Sequence, residues 1–253
     1  MLMKQISAFG IQIHPLTKHD FLFIISEGIK KKKQIVQSGV NASSIVELVH
    51  SIDLKAAYNE CDLVNIDGMS LVWALRFFGY KVPERVACPD LAESVLQLAE
   101  INKYGVFFLG ASEENLLLAI NNISIDYPNL KISGYRNGYF APEDENQIAN
   151  MIDQSEAHIL FLGLPSPQKE LFVKAHKDKL HVNYFLGVGG FFDILSGSKK
   201  RAPIWMQNSG LEWFYRFIQE PFRLLDRYFI GNLKFIRIVV LEKVKQGKSL
   251  PFL

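Results

Sequence analysis

Short apolar runs and amphipathic stretches alternate along most of this chain. Ile35 to Val40, Leu63 to Ile66, Val106 to Leu109, Ile159 to Leu162 and Val182 to Leu186 (broken by Asn183) read as buried strands. Gln5 to Ile13, with partial alternation, and Leu130 to Tyr135 read as further strands. Between them lie helical stretches. Phe21 to Ile29 ends in the charge run Lys30 to Lys33, a solvated helix end where lysines favour the dipole. Asn41-Ala42-Ser43-Ser44 can cap a helix from Ile45 to His50. Leu71, Val72, Leu75 and Phe78 mark the apolar face of another. Pro89 opens a helix that ends near Asn102, Glu113 to Ile125 forms the next, and Pro142-Glu143-Asp144-Glu145 opens one more. The acids there complement the helix dipole and do not require a metal. A further helix runs to Lys177.

Strand followed by helix, repeated, predicts an α/β fold: a Rossmann-like, largely parallel sheet flanked by helices. Strand after strand ends in a polar or glycine-bearing turn: Asn41, Asp67, Gly110, Gly138, Gln168 and Gly187. In a parallel sheet these turns share one edge, where such folds bind ligands. The richest turn is Gly187-Val188-Gly189-Gly190, placed between a buried strand and the helix Phe191 to Leu195. Glycines there let a ligand approach the main chain, and unpaired N–H groups at a helix start attract an anion. The plainer reading is a tight turn with no ligand. Asp193 is placed to accept from a sugar hydroxyl or a base edge.

After Gly197 the pattern changes. Residues 196–253 hold eleven Lys and Arg against four Asp and Glu, a net +7, while residues 1–195 carry −5. Trp205, Trp213, Phe214, Tyr215, Phe217, Phe222, Tyr228 and Phe229 are interleaved with the basic residues. Two units are therefore expected: a catalytic body, 1–195, and a helical, basic and aromatic C-terminal appendage, 196–253. Such a tail fits an anionic surface, lipid or nucleic acid, or docks on the body as an ordinary amphipathic helix. Arg223 and Arg227 are four apart on one helix face that Pro221 can begin.

Composition narrows the choices. The apolar share of 49% supports a sizeable core. Two cysteines, Cys61 and Cys88, lack metal-ligand spacing and suggest no disulfide framework, consistent with a cytoplasmic setting. No signal peptide is expected, and no apolar run approaches the ~20 residues that span a bilayer. There is no His-Glu-x-x-His, no Gly-x-Ser-x-Gly, no phosphate loop ending in Gly-Lys-Ser/Thr and no Asp-x-Asp. The dinucleotide fingerprint is also missing. A sugar-nucleotide diphosphate would have to be held by backbone N–H groups, helix ends and arginine. The competing readings are a nucleotide-binding oxidoreductase or methyltransferase on a similar sheet, and a non-catalytic membrane- or nucleic-acid-binding module.

These motifs together resemble the WecG/TagA/CpsF glycosyltransferase family, over about Gln34 to Tyr228. Asp67-Gly68 is similar to the family's strand-end Asp-Gly, and Glu84-Arg85-Val86 with Pro89-Asp90-Leu91 to its Arg-Val-x-Gly-x-Asp-Leu, with Cys88 where glycine is usual. Phe108-Leu109-Gly110, Asn137-Gly138-Tyr139-Phe140, Gly163 to Glu170, Gly187 to Pro203, and Leu211-Glu212-Trp213 with Tyr215-Arg216 and Glu220-Pro221 follow in order. The resemblance implies an inverting, metal-independent hexosyltransferase of bacterial cell-surface polysaccharide synthesis. It would move an N-acetylmannosamine-type sugar, or a related hexose or uronate, from UDP to a polyprenyl-diphosphate-linked sugar. It would work peripherally at the cytoplasmic face of the membrane, with no cofactor beyond the UDP-sugar donor and no nucleic acid as partner. A homo-oligomer remains compatible with the sequence.

Carried over by position, Asp67 is the expected general base and Asn41 an acceptor or donor contact. Arg85 and Gln168 belong near the diphosphate and sugar. Tyr139 and Asp193 belong near the uridine, with Gly110, Gly187, Val188 and Gly189 as nucleotide-binding backbone. Arg201, Arg216, Arg223 and Arg227 belong to the membrane- and acceptor-proximal tail. The family usually has threonine two residues before the asparagine, where this chain has Gly39. Ser38 is adjacent but points to the opposite side of an extended strand.

Overall fold

The computed structural model describes residues 4–248; side chains at Arg223, Asp226, Arg227 and 246–248 lie outside the described residues. The first predicted strand is a hairpin instead. Strands β1 (Ile6–Ala8) and β2 (Ile11–Ile13) pair antiparallel, and the chain reverses at Phe9-Gly10, both with positive φ. Helix α1 (Lys18–Lys30) follows, its Thr17–Asp20 capping box formed in both directions.

The main sheet has six strands, all parallel. Strands β3 (Ile35–Val40) and β4 (Leu63–Ile66) occupy one side, with β5 (Val106–Gly110), β6 (Ile132–Arg136), β7 (Ile159–Gly163) and β8 (Tyr184–Gly187) completing the order β4-β3-β8-β7-β5-β6. The expected α/β class is therefore the observed one. Helices α2 (Ala42–His50) and α3 (Ile52–Asn59) connect β3 to β4; α4 (Met69–Phe77) and α5 (Cys88–Asn102) connect β4 to β5. Helix α6 (Glu113–Asp126) leads to β6, α7 (Glu145–Gln154) to β7, α8 (Gln168–His176) to β8, and α9 (Phe191–Leu195) leaves the sheet.

Strands β3, β4, β5, β7 and β8 are buried on both faces, which explains why their sequences are largely apolar runs rather than alternating, while the edge strand β6 is only partly buried. Val106, Phe108, Ile159, Phe161, Tyr184 and Leu186 pack under α1, α5, α6 and α9. Phe107, Leu109, Leu160, Leu162 and Phe185 pack under α7 and α8. A third cluster joins Val40, Val64 and Ile66 to the hairpin and to α2, α3 and α4.

The chain leaves β5 towards β6 on one side and leaves β7 towards β8 on the other. Neighbouring strands whose connections diverge open a crevice at their carboxyl ends. Close approach there needs glycine. A Cβ on Gly110 would stand 2.5 Å from the Gly163 backbone, so the two strand ends can touch only without side chains.

The tail consists of α10 (Ile204–Asn208), α11 (Glu212–Gln219) and the long α12 (Pro221–Lys248), begun by Pro221 as its sequence predicts. Helix α12 packs back on the body beside α2. Its Phe235 is buried in the third cluster near Phe9, with ring centroids 6.5 Å apart. Burial of one such side chain stabilises by about 1.5–3 kcal/mol.

Candidate active site

A cleft of about 1360 Å³ opens along the carboxyl edge of the sheet, between the body and the tail. Pockets for single drug-sized ligands run to about 1,000 Å³, so this one has room for two substrates. Of the strand-end residues singled out above, Asn41, Asp67, Gly138, Gln168 and Gly187 line it. Gly110 packs against Gly163 instead, and the wall beside it is carried by Ala111 and Ser112.

At the β3–β4 side, Asn41 is the N-cap of α2, its Oδ1 accepting from the N–H groups of Ser43 (3.1 Å) and Ser44 (3.2 Å). That leaves its amide to donate, and Nδ2 reaches Asp67 Oδ2 at 3.2 Å. The other oxygen of Asp67 accepts from the Cys88 N–H at 2.8 Å. Asp67 does not cap the helix that follows it: Gly68 is the N-cap of α4 and makes no side-chain cap bond. The carboxylate is thus oriented at both oxygens and half-buried on the cleft wall.

The segment that brings Cys88 there runs along β4. The Val86 N–H donates to the Ile66 carbonyl (2.9 Å), and Asn65 Nδ2 donates to the Val86 carbonyl (2.8 Å). Behind Asn65, Gln37 Nε2 donates to Asn65 Oδ1 (3.0 Å) and the Tyr184 hydroxyl to Gln37 Oε1 (2.8 Å). This chain of buried polar groups is satisfied along its length and fixes the wall. Sequence reading missed it, because polar residues inside apolar runs look like interruptions.

Gly39 and Cys88 fit one another. A Cβ on Gly39 would stand 2.3 Å from Cys88 Sγ and 3.3 Å from Asp67 Cβ. The volume that a side chain at position 39 would fill is occupied by the Cys88 thiol. Burial, and next the charge of Asp67, push that thiol up, so it stays protonated. Ser38 faces the other way, as strand alternation requires: its hydroxyl donates to Glu170 Oε1 at 3.0 Å, beside the Lys169–Glu170 ion pair.

On the opposite wall, the turn Gly187 to Gly190 leads into α9 and lines the cleft. Asp193, in the first turn of α9, accepts from Asn115 Nδ2 (3.0 Å) and Lys199 Nζ (2.7 Å). Arg216 of α11 reaches over the same turn, its Nη2 3.9 Å from where a Cβ on Gly190 would stand. Tyr139, 77% exposed, stands at the mouth with its N–H held by Asn137 Oδ1.

Arg85 lines the cleft, but its Nη1 pairs with Glu212 Oε2 at 2.9 Å. Arg201 pairs with Asp90, and its Nε lies 3.6 Å from Glu212 Oε1. Burial works against the Arg201 charge, yet Asp90 and Glu212 more than offset it and raise its pKa. Arg201 therefore joins tail to body rather than facing outward. The side chains of Arg223 and Arg227 lie outside the described residues; both positions are on α12. Among the described residues no group of three His, Cys, Asp or Glu side chains could hold a metal ion, and no helix is long and apolar enough to cross a membrane.

A parallel α/β body with an oriented carboxylate, a glycine turn and a docked basic tail defines a nucleotide-sugar-transferase type of site. Residues 6–249 match the Glycosyl transferase WecG/TagA/CpsF family, and the chain belongs to it. It is 31% identical over 195 residues to the N-acetylglucosaminyldiphosphoundecaprenol N-acetyl-beta-D-mannosaminyltransferase of Bacillus subtilis (strain 168), covering 77% of this chain and 75% of that protein. It is 32% identical over 169 residues to the protein of the same name from Bacillus spizizenii (strain ATCC 23059 / NRRL B-14472 / W23), covering 67% of this chain and 65% of that protein.

Proposed function

We propose that this glycosyltransferase moves an N-acetylmannosamine-type sugar from UDP to a polyprenyl-diphosphate-linked N-acetylglucosamine, with inversion. The relatives' names support the substrates. The observation that carries the chemistry is the Asp67 carboxylate, oriented by Asn41 and the Cys88 N–H beside a cleft with room for both substrates. An ionised carboxylate has about four lone-pair sites, so two hydrogen bonds leave it able to accept a proton. The acceptor hydroxyl oxygen attacks the anomeric carbon from the face opposite UDP. Its proton passes to Asp67 as the new C–O bond forms. The bond from the anomeric carbon to the phosphate oxygen breaks, and UDP leaves with the electron pair. Base catalysis of this kind contributes about 10²–10⁴-fold.

The charge that develops on UDP falls towards the glycine-turn N–H groups and Arg216, with Arg85 adding positive potential from its paired position. Gln168 contacts the sugar and diphosphate region, while Tyr139 and Asp193 serve the uridine. The reaction proceeds without a divalent metal. The tail, residues 196–253, rests on the cytoplasmic face of the membrane. In its favour, Ile218, Phe222, Phe229 and Leu233 are exposed on a unit of net charge +7.

The deciding experiment assays a panel of UDP-sugars against a lipid-diphosphate-linked N-acetylglucosamine, with and without EDTA. Transfer from UDP-N-acetylmannosamine that survives chelation is the expected result. Loss on chelation with rescue by magnesium removes the metal-free mechanism, and transfer from a different sugar alone removes the donor.

A further inference from the structure

Part of the cleft is lined by large apolar and aromatic side chains. Beyond Asp67, helix α4 turns Trp73 and Phe77 into it, and α12 faces them with Ile236 and Val240. These four side chains are 52%, 59%, 57% and 52% exposed and line one cavity. Buried Phe235 forms part of the lining on the same side. The apolar trough is continuous with the polar site, because Asp67, Gly68 and Met69 line the same cavity. From Met69 to Phe77 it follows α4 for roughly 12 Å, at about 1.5 Å per residue.

The trough is also held open by contacts. A Cβ on Gly210, where φ is +76°, would stand 3.0 Å from the Trp73 ring, so the indole rests on the turn between α10 and α11. At the outer end, Lys243 Nζ of α12 sits 5.5 Å from the centroid of the Phe77 ring. Both aromatic walls are therefore positioned by the tail.

The hydroxyls of a sugar and the phosphates of a nucleotide would lose hydration on such a lining without new hydrogen bonds. A hydrocarbon chain attached to the substrate gains from it directly. We propose that the trough between α4 and α12 is the subsite for the first isoprene units of the acceptor's prenyl chain. The proposal rests on the acceptor reading above. The chain enters along α12, passes Phe77 and Trp73, and delivers its diphosphate sugar to Asp67. The trough thereby measures the lipid as well as the sugar.

The test uses the full chain without detergent or membrane. N-acetylglucosamine diphosphate is linked either to farnesyl, with 15 carbons, or to methyl. The wild type should prefer the farnesyl acceptor by about 10²-fold in kcat/KM, and Phe77→Ser should reduce that preference about tenfold through KM for the farnesyl acceptor. Phe77→Leu should restore most of it. A wild type that treats both acceptors alike overturns the subsite, as does an unchanged preference in both Phe77→Ser and Trp73→Ser. If those variants change the mass in light scattering and leave the preference intact, a second copy of the chain covers the trough and the proposal fails. Wild-type transfer to neither acceptor would count against the acceptor reading instead. A binding arm then decides the subsite alone: farnesyl diphosphate should bind more tightly than inorganic diphosphate, by a margin that Phe77→Ser removes, and equal affinity overturns it.

Discussion

On the β3–β4 side of the cleft, Asn41, Asp67 and the Cys88 N–H are joined by hydrogen bonds that begin and end on strand ends and helix starts. On the tail side, Arg85 meets Glu212 across 127 residues of chain, and Arg201 meets Asp90 across 111. The first wall rests on a dry core and a satisfied polar chain. The second rests on partly buried ion pairs and on a few buried apolar side chains of the tail, Met206, Leu224 and Phe235 among them. The Asp67 carboxylate thus sits on a wall held by hydrogen bonds within the body, whereas the facing wall is joined to the body by ion pairs that reach across from the tail.

The sharpest way to break this comparison is Asp67→Asn. Turnover at saturating donor and acceptor should fall about 10²-fold or more, because the amide cannot take a proton. Asp67 accepts at both oxygens, so the new NH₂ must face one of two donors, and one hydrogen bond is lost. Stability should drop by about 1 kcal/mol, with the fold and UDP affinity kept. Near-wild-type turnover would remove Asp67 from the mechanism.

Next comes Glu212→Gln, which takes the shared carboxylate from between Arg85 and Arg201. Docking of the tail should weaken by about 1–3 kcal/mol, and turnover should fall about tenfold. Hydrogen exchange should rise in α11 while the amides of β3 and β4 stay protected. Equal loss of protection on both sides would mean that the two walls are one unit.

Gly39→Ala tests the rigid wall. The added Cβ meets Cys88 Sγ and must displace the start of α5, at a cost of about 1–3 kcal/mol. Adding Cys88→Gly to the same chain should recover most of the lost melting temperature. No recovery in the double variant would show that the two residues do not share that volume.

The smallest effect lies behind the first wall, against β4 and away from the cleft lining. His14 is buried, its Nδ1 accepting from the Val64 N–H at 3.0 Å. Burial, only partly opposed by Asp62, holds its pKa below the usual 6.5. The unfolded chain therefore binds a proton that the folded chain resists. Its contribution is complete above pH 6.5 and is lost as the pH falls from there through the lowered folded value. Melting temperatures at pH 7 and pH 5 should differ less in His14→Asn than in the wild type, and an equal difference would exclude His14 as the source.

Much of the body was legible because its signals are local. Apolar runs found β3, β4, β5, β7 and β8 to within two residues, and Asn41 was recognised as a cap. The N-terminal hairpin was not separated into two strands, since Phe9-Gly10 lacks the usual Asn-Gly or Asp-Gly signal and Phe9 takes a positive φ that its type disfavours. Glu212 and Asn115 were not recognised as members of the site, because each acts on a residue far away in sequence; Lys199 acts on the nearby Asp193 carboxylate, but no helix or strand period marks a contact made across a turn. For Arg85 the sequence supports cleft placement, but nothing local announces that its guanidinium is already paired.

By itself the sequence determined the alternation of strands and helices, the polar turns at the strand ends and the ordered motifs of the family. Strand period also settled that Ser38 and Gly39 face opposite ways. What each of them faces was decided only by the fold: Glu170 for one, Cys88 and Asp67 for the other. The order β4-β3-β8-β7-β5-β6 brings α8 beneath β3 and the start of α5 above it. Likewise, amphipathic periodicity made α12 a helix, but the apolar gap beside α2 and α4 decided where it docks. A period of two or 3.6 residues fixes which side of an element a residue occupies. The partner on that side comes from another segment, whose arrival depends on how the whole chain minimises its exposed apolar surface.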